Sequence, residues 1–126
     1  MERLSIRIPP GTAHVSSVRA FVGAVGRTTG CSEEAVDDLR LVATEACAQA
    51  IEQDAPPAVI EVRSLVDGGR LLVEIEPCGR FDRAPEGLDR GSGRATRRAL
   101  IEGLFPDAEF DRERAVLRIA VPVSRG

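Results

Sequence analysis

A long apolar stripe near the middle of the sequence places the strongest constraint on the fold. Seven residues between positions 32 and 57 recur at the 3.6-residue spacing of one helix face: Ala35, Val36, Leu39, Val42, Ala43, Ala46 and Ala50. Ser32 is a favoured N-cap residue, and Asp54-Ala55-Pro56-Pro57 contains the prolines that end helices. The stripe therefore predicts a long helix that buries one side.

The segment before this helix predicts a strand and a shorter helix. Leu4, Ile6 and Ile8 alternate with polar residues, as in a half-buried strand, and Pro9-Pro10-Gly11 ends the alternation. Thr12 is the candidate N-cap of a helix that Gly30 terminates.

The second half of the chain predicts mostly strands. Two β-rich runs, 59–66 and 71–75, flank Asp67-Gly68-Gly69, which is typical of a hairpin turn. Residues 77–92 are rich in Pro, Gly, Asp and Arg and predict a long loop. A third helix is expected from about Arg94 to Leu104, followed by strands near Phe110 and from Val116 to Val121.

The order β-α-α-β-β-loop-α-β-β predicts an α+β fold. We expect a two-layer α/β sandwich, a mostly antiparallel sheet with about three helices on one face, formed by a single domain over residues 1–126.

Composition narrows the class of function. The net charge of −3 and the absence of Tyr and Trp argue against direct nucleic-acid binding. Cys31, Cys47 and Cys78 form no C-x-x-C motif, so neither a zinc site nor a disulfide framework is indicated. No run approaches the roughly 20 apolar residues that a membrane span needs. We expect a cytoplasmic protein with a protein partner or a small ligand.

Glu45 and Gln49 are the sharpest candidates for chemistry. They lie four residues apart on one border of the apolar stripe, where the helix meets its packing partner. A carboxylate there could accept a proton during phosphoryl transfer, and the carboxamide could orient a ligand or a metal-bound water. Equally, Glu45 could be an ordinary solvated glutamate, and Gln49 could hydrogen-bond a neighbouring turn.

Two glycine-containing segments could approach a ligand. Gly79 follows the second hairpin strand, where a missing Cβ permits close backbone approach, although such glycines often only form turns. Gly91-Ser92-Gly93 precedes three arginines, Arg94, Arg97 and Arg98, at the start of a helix. Amides and guanidinium groups there could hold phosphate oxygens, or the segment could be a hinge followed by a solvated basic face.

Together, the segment 39–52 (LRLVATEACAQAIE), the Gly79 loop and Gly91-Ser92-Gly93 resemble the histidine-kinase-like ATPase superfamily. The resemblance covers most of the chain and is greatest to the anti-sigma-factor serine kinases of bacteria. It implies a Bergerat-type fold that binds ATP and magnesium between the sheet and its helices. It also implies a homodimer that sequesters a sigma factor and phosphorylates an anti-anti-sigma partner.

Residue by residue, the resemblance is incomplete. Glu45 matches the family's catalytic carboxylate, and Gln49 stands where an asparagine holds magnesium, one methylene longer. Pro77 replaces the aspartate that binds the adenine amino group, while Gly79, Gly91, Gly93 and Arg94 match positions that contact nucleotide. The replacements continue outside this set: Phe81 stands where glycine is usual, and Glu113-Arg114 replaces a Gly-Thr pair.

These departures indicate an anti-sigma-like regulator that binds a sigma factor or an anti-anti-sigma protein, with weak or lost ATP binding. An active ATP-dependent serine kinase, with Glu45 as base and Gln49 as metal ligand, is the alternative. A second alternative is an unrelated α/β interaction module without any nucleotide site.

Overall fold

A computed structural model describes residues 3–53, 55–78 and 93–123 of the 126, and within the last helix the described side chains begin at residue 96. The elements follow the predicted order: β1 (Arg3–Ile8), a 3₁₀ turn (Thr12–His14), α1 (Val15–Thr29), α2 (Glu33–Ile51), β2 (Ile60–Asp67), β3 (Arg70–Glu76), α3 (Gly93–Leu104), β4 (Glu109–Asp111) and β5 (Val116–Pro122).

The strands form one five-stranded sheet in the order β1-β2-β3-β5-β4, and every neighbouring pair is antiparallel. Residues that face each other across the strands share one side of the sheet, as Val62, Ile75 and Leu117 do. Gly68 and Gly69 have φ angles of 60° and 78°, which glycine adopts without a steric penalty, so the β2–β3 turn is tight.

All three helices contribute to the same core as the sheet. The buried side chains from α1, α2 and α3 include Val22, Leu39 and Ile101, and they join a cluster with alternate residues of β2, β3 and β5. The other side of these strands carries charged residues that pair across the sheet. The predicted α+β sandwich, with an antiparallel sheet and helices on one face, is confirmed.

The ends of the first two helices confirm two predictions and correct a third. Ser32 Oγ accepts a hydrogen bond from the Ala35 amide at 3.1 Å, and Gly30 ends α1 with a φ of 94°. Thr12 does not cap α1. It lies in the 3₁₀ turn that the His14 amide closes onto the Gly11 carbonyl, so α1 begins only at Val15.

A close approach of α1 to α2 explains a glycine in the middle of α1. A Cβ added at Gly26 would lie 3.0 Å from Val36 Cγ2, and Val36 is completely buried. Because Val has one strongly preferred rotamer in a helix, it has little freedom to move away. The small residue therefore sets how closely the two helices pack.

We predict that Gly26→Ala lowers the free energy of unfolding by about 1 kcal/mol, because overpacking at Val36 outweighs the gain in helix propensity. Gly103→Ala in α3 is the matched control, since no atom lies within 4 Å of its added Cβ. It should raise stability by a few tenths to about 1 kcal/mol. Urea unfolding of both variants measures the difference, and equal stabilisation by the two would contradict close packing at Gly26.

Candidate functional site

Three polar side chains lie in a row along the border of the apolar face of α2. Glu45 and Gln49 lie in α2 and Glu52 is its C-cap residue; the spacings of four and three residues place them on one side of the helix. Gln49, in the middle of the row, is the most buried at 6% exposed, whereas 27% of the Glu45 side chain and 59% of the Glu52 side chain are exposed. Glu45 is thus a half-buried carboxylate rather than a solvated one.

Arg97 of α3 faces this row and bonds to all three residues. Its Nε donates to Glu45 Oε2 at 3.0 Å, and its Nη1 donates to Gln49 Oε1 at 3.1 Å. Nη2 donates to Glu52 Oε1 at 3.1 Å, and Nη1 also reaches Glu52 Oε2. We call these four residues the Arg97 cluster.

The packing of α3 places Arg97 in this position. Ile101, one helical turn later, is completely buried in the core, so residue 97 lies on the side of α3 that faces the rest of the protein. Only 19% of the Arg97 side chain is exposed. A half-buried guanidinium needs acceptors, and the planar fork of arginine can bond to several oxygens at once.

The charges in the Arg97 cluster support one another. The hydrogen bond from Arg97 lowers the pKa of the Glu52 carboxyl below its ordinary value of 4.5. The same bond is the largest cause of a raised pKa for Arg97, so the guanidinium stays charged. Because the Glu52 pKa is depressed on folding, its contribution to stability is present above pH 4.5 and is lost as the pH falls below that value.

The end of β3 is the place where the family resemblance expects a contact with adenine. Its last residue, Glu76, does not direct its carboxylate toward the core. Glu76 lies on the outer side of the sheet, where its Oε2 accepts from Arg63 Nη2 at 2.8 Å and from Arg114 Nη2 at 3.5 Å. Pro77 follows and is half-buried. The alternation of side chains along the strand thus turns Glu76 away from the core.

Cys78 follows Pro77 and belongs to the core. It is 3% exposed, its amide donates to the Ala115 carbonyl at 2.8 Å, and burial raises the pKa of its thiol to about 12. This backbone bond joins the end of β3 to the residue before β5. The thiol is therefore un-ionised at neutral pH and unsuited to act as a nucleophile.

The remaining predicted site residues are only partly described. Gly79 and Gly91 lie outside the described residues, Gly93 is the first residue of α3, and the Arg94 side chain lies outside the described part. Of the predicted set, the structure therefore brings Glu45 and Gln49 together and places Pro77 at the end of β3.

Two of the arginines considered as phosphate ligands have partners within the protein. Arg97 bonds to α2, whereas Arg98 donates to Glu102 at 2.9 Å and lies 4.7 Å from the centre of the Phe110 ring. The role of Glu52 was missed. Its position seven residues after Glu45, on the same border of the stripe, was the signal that could have identified it.

The oxygens that could meet magnesium or adenine already have partners within the protein, or face away from the core. The oxygens of Glu45 and Gln49 are of the kind that Mg²⁺ prefers, but a guanidinium already bonds to one oxygen of each. Neither Pro77 nor the outward-facing Glu76 offers a carboxylate to an adenine amino group.

Within residues 3–53, 55–78 and 93–123, no group of three or more His, Cys, Asp or Glu side chains is arranged to hold a metal ion. None of the helices in the same residues is long and apolar enough to cross a membrane.

Comparisons with known proteins place these features in a family. The family of histidine kinase-like ATPase domains matches residues 8–121. The fold is also similar to a crystal structure of the RsbU and RsbW domains of Rv1364c from Mycobacterium tuberculosis, with a TM-score of 0.71 at 20% identity. That likeness covers 100% of this chain but 34% of the other. No curated protein matches the sequence significantly.

Proposed function

Because this chain belongs to the histidine kinase-like ATPase domain family, we propose that it is an anti-sigma-type regulatory protein. In this proposal it binds a sigma factor or an anti-anti-sigma protein, works as a homodimer, and binds ATP weakly or not at all. The motif in α2 around Glu45 and the fold shared with a structure that contains an RsbW domain support the choice of an anti-sigma type. The family match rules out the alternative of an unrelated α/β module.

The single observation that carries the weak-ATP part of the proposal is the direction of Glu76. In related domains, by resemblance, an aspartate at the position of Pro77 accepts a hydrogen bond from the adenine amino group. Proline has no carboxylate, and the neighbouring carboxylate of Glu76 bonds to Arg63 on the opposite side of the sheet. Glu76 would have to leave that ion pair and reverse the strand alternation to replace the aspartate.

The expected loss of affinity follows from the energy of one hydrogen bond. A buried hydrogen bond to a charged group is worth about 1.5–3 kcal/mol. Its removal therefore raises the dissociation constant by about ten- to a hundredfold. We therefore expect Mg-ATP to bind at about millimolar concentrations or more weakly.

We predict that Pro77→Asp tightens Mg-ATP binding by about ten- to a hundredfold, because it provides a charged acceptor for the adenine amino group. Pro77→Asn is the matched control, since it adds a side chain of the same size without the charge and should tighten binding less. Calorimetric titration of the wild type and both variants measures the change. Micromolar affinity in the wild type would contradict the proposed weakening.

Partner binding tests the function itself. We predict that the wild type forms a complex with a sigma factor or an anti-anti-sigma domain from the same genome when no nucleotide is present, as seen by size-exclusion chromatography with light scattering. The same measurement gives the mass of the free protein, which should be that of a homodimer.

The active-kinase alternative predicts a different result with labelled ATP. Transfer of phosphate to the anti-anti-sigma domain, lost in Glu45→Ala, would establish the enzyme and contradict the proposal. Failure to bind either class of partner would contradict the anti-sigma role.

A further inference from the structure

We infer that Arg97 is an internal competitor for the cation at this site, since its guanidinium occupies oxygens of Glu45 and Gln49 that a magnesium–nucleotide complex would need. The site is then closed when Arg97 bonds to α2 and open only when it moves away. The inference rests on the proposed function in one respect: it takes this side of α2 as the wall that faces nucleotide.

The distances prevent Arg97 and a magnesium ion from occupying the same side of the Gln49 oxygen. Arg97 Nη1 lies 3.1 Å from Gln49 Oε1, whereas Mg²⁺ binds oxygen at about 2.1 Å. An ion on that side of the Gln49 oxygen would contact the guanidinium, and two positive charges at that distance repel each other strongly in a half-buried site. Magnesium bound to this side of the Gln49 oxygen therefore requires that Arg97 leave.

The same guanidinium also engages the candidate base. Arg97 Nε donates to Glu45 Oε2 at 3.0 Å, and most of both side chains is withdrawn from solvent, with 19% of Arg97 and 27% of Glu45 exposed. The Oε2 atom is thus committed to a positively charged donor. While the bond persists, a partner's hydroxyl cannot approach that oxygen from the side of α3.

Glu52 holds Arg97 in place from outside the site. It accepts from both Nη1 and Nη2, which is the two-point geometry that carboxylates and guanidinium groups favour. It has no match among the residues that the family resemblance places at the nucleotide. Its exposed side chain can be altered without removing a ligand of the site. Glu52 is therefore a positioning residue for Arg97.

The direction of the change in nucleotide affinity distinguishes competition with the cation from the other role expected of an arginine here, which is to bind phosphate. If Arg97 held phosphate, its removal would weaken nucleotide binding. If Arg97 competes with the cation, its removal strengthens binding. Loosening the anchor at Glu52 should strengthen it as well, so the result for Arg97→Ala is the one that separates the two roles.

The experiment is an NMR titration of the full-length protein with Mg-ATP into the millimolar range, comparing four variants with the wild type. Arg97→Ala should bind about tenfold more tightly, the effect expected from removing competition by one charge-assisted contact. Glu52→Gln should bind a few-fold more tightly. Arg97→Lys keeps a positive charge near Glu45 and should remain close to the wild type.

Arg7→Ala is the control for the loss of an arginine. It removes an exposed arginine of β1 whose partner, Glu61, lies in β2, so the change does not involve α2. Its affinity should equal that of the wild type. The spectrum of each variant without nucleotide shows whether it is folded, and Arg97→Gln, which removes the charge but keeps a hydrogen-bond donor, replaces Arg97→Ala if that variant is not.

Weaker or unchanged binding in Arg97→Ala and Glu52→Gln would overturn the inference, as would the absence of binding in both. These outcomes leave the proposed regulatory function intact, because they concern ratios between variants. Failure of the proposed function would instead appear as micromolar binding by the wild type or as the absence of partner complexes.

Discussion

The packing of α2 between α1, α3 and the sheet is the constraint on which the rest of the structure depends. Its apolar face supplies the centre of the core, where Leu39, Val42 and Ala46 are completely buried. Its border carries Glu45 and Gln49, which face α3 through Arg97. One helix thus fixes both the core and the position of the polar residues. A change that moves α2 relative to α3 would alter the core and the site together.

The two faces of the sheet differ in composition. The side that faces the helices is apolar, whereas the outer side holds a network in which Arg63 bonds to Glu61 and Glu76, and Arg118 bonds to Glu74. A cavity of about 730 Å³ lies over this outer side, lined partly by Leu65 and Leu72. Glu76, which immediately precedes Pro77 in the sequence, belongs to this outer network. Strand alternation therefore keeps the Glu76 carboxylate on the outer side of the sheet.

Sequence reasoning predicted the elements whose signal is local and repeated. The stripe of α2, the cap at Ser32, the hairpin at Gly68-Gly69 and the strand that begins at Val116 all appear as predicted. The prediction of an N-cap at Thr12 was wrong because a 3₁₀ turn precedes α1. Whether these residues form a 3₁₀ turn or the first turn of an α-helix depends on their surroundings in the folded protein. The match of residues 8–121 confirms the family that the motif in α2 indicated.

The pairing of Arg97 with Glu45 could not be predicted in the same way. The two residues are 52 positions apart, and no periodicity links them. Their contact arises only because α3 packs beside α2 in the folded protein. Likewise, the need for glycine at position 26 depends on the side chain of Val36 in the next helix. Helical spacing places residues on a face, but it does not say what that face meets.

The central claim is that Arg97 bonds to the oxygens of α2 in the protein without nucleotide. The Nε–H resonance of Arg97 tests it most directly, through its rate of exchange with water and its response to Glu45→Gln. The account predicts a slowly exchanging proton that shifts and exchanges faster in the variant. A proton that exchanges as fast as that of a solvated arginine, with no change in Glu45→Gln, would contradict it.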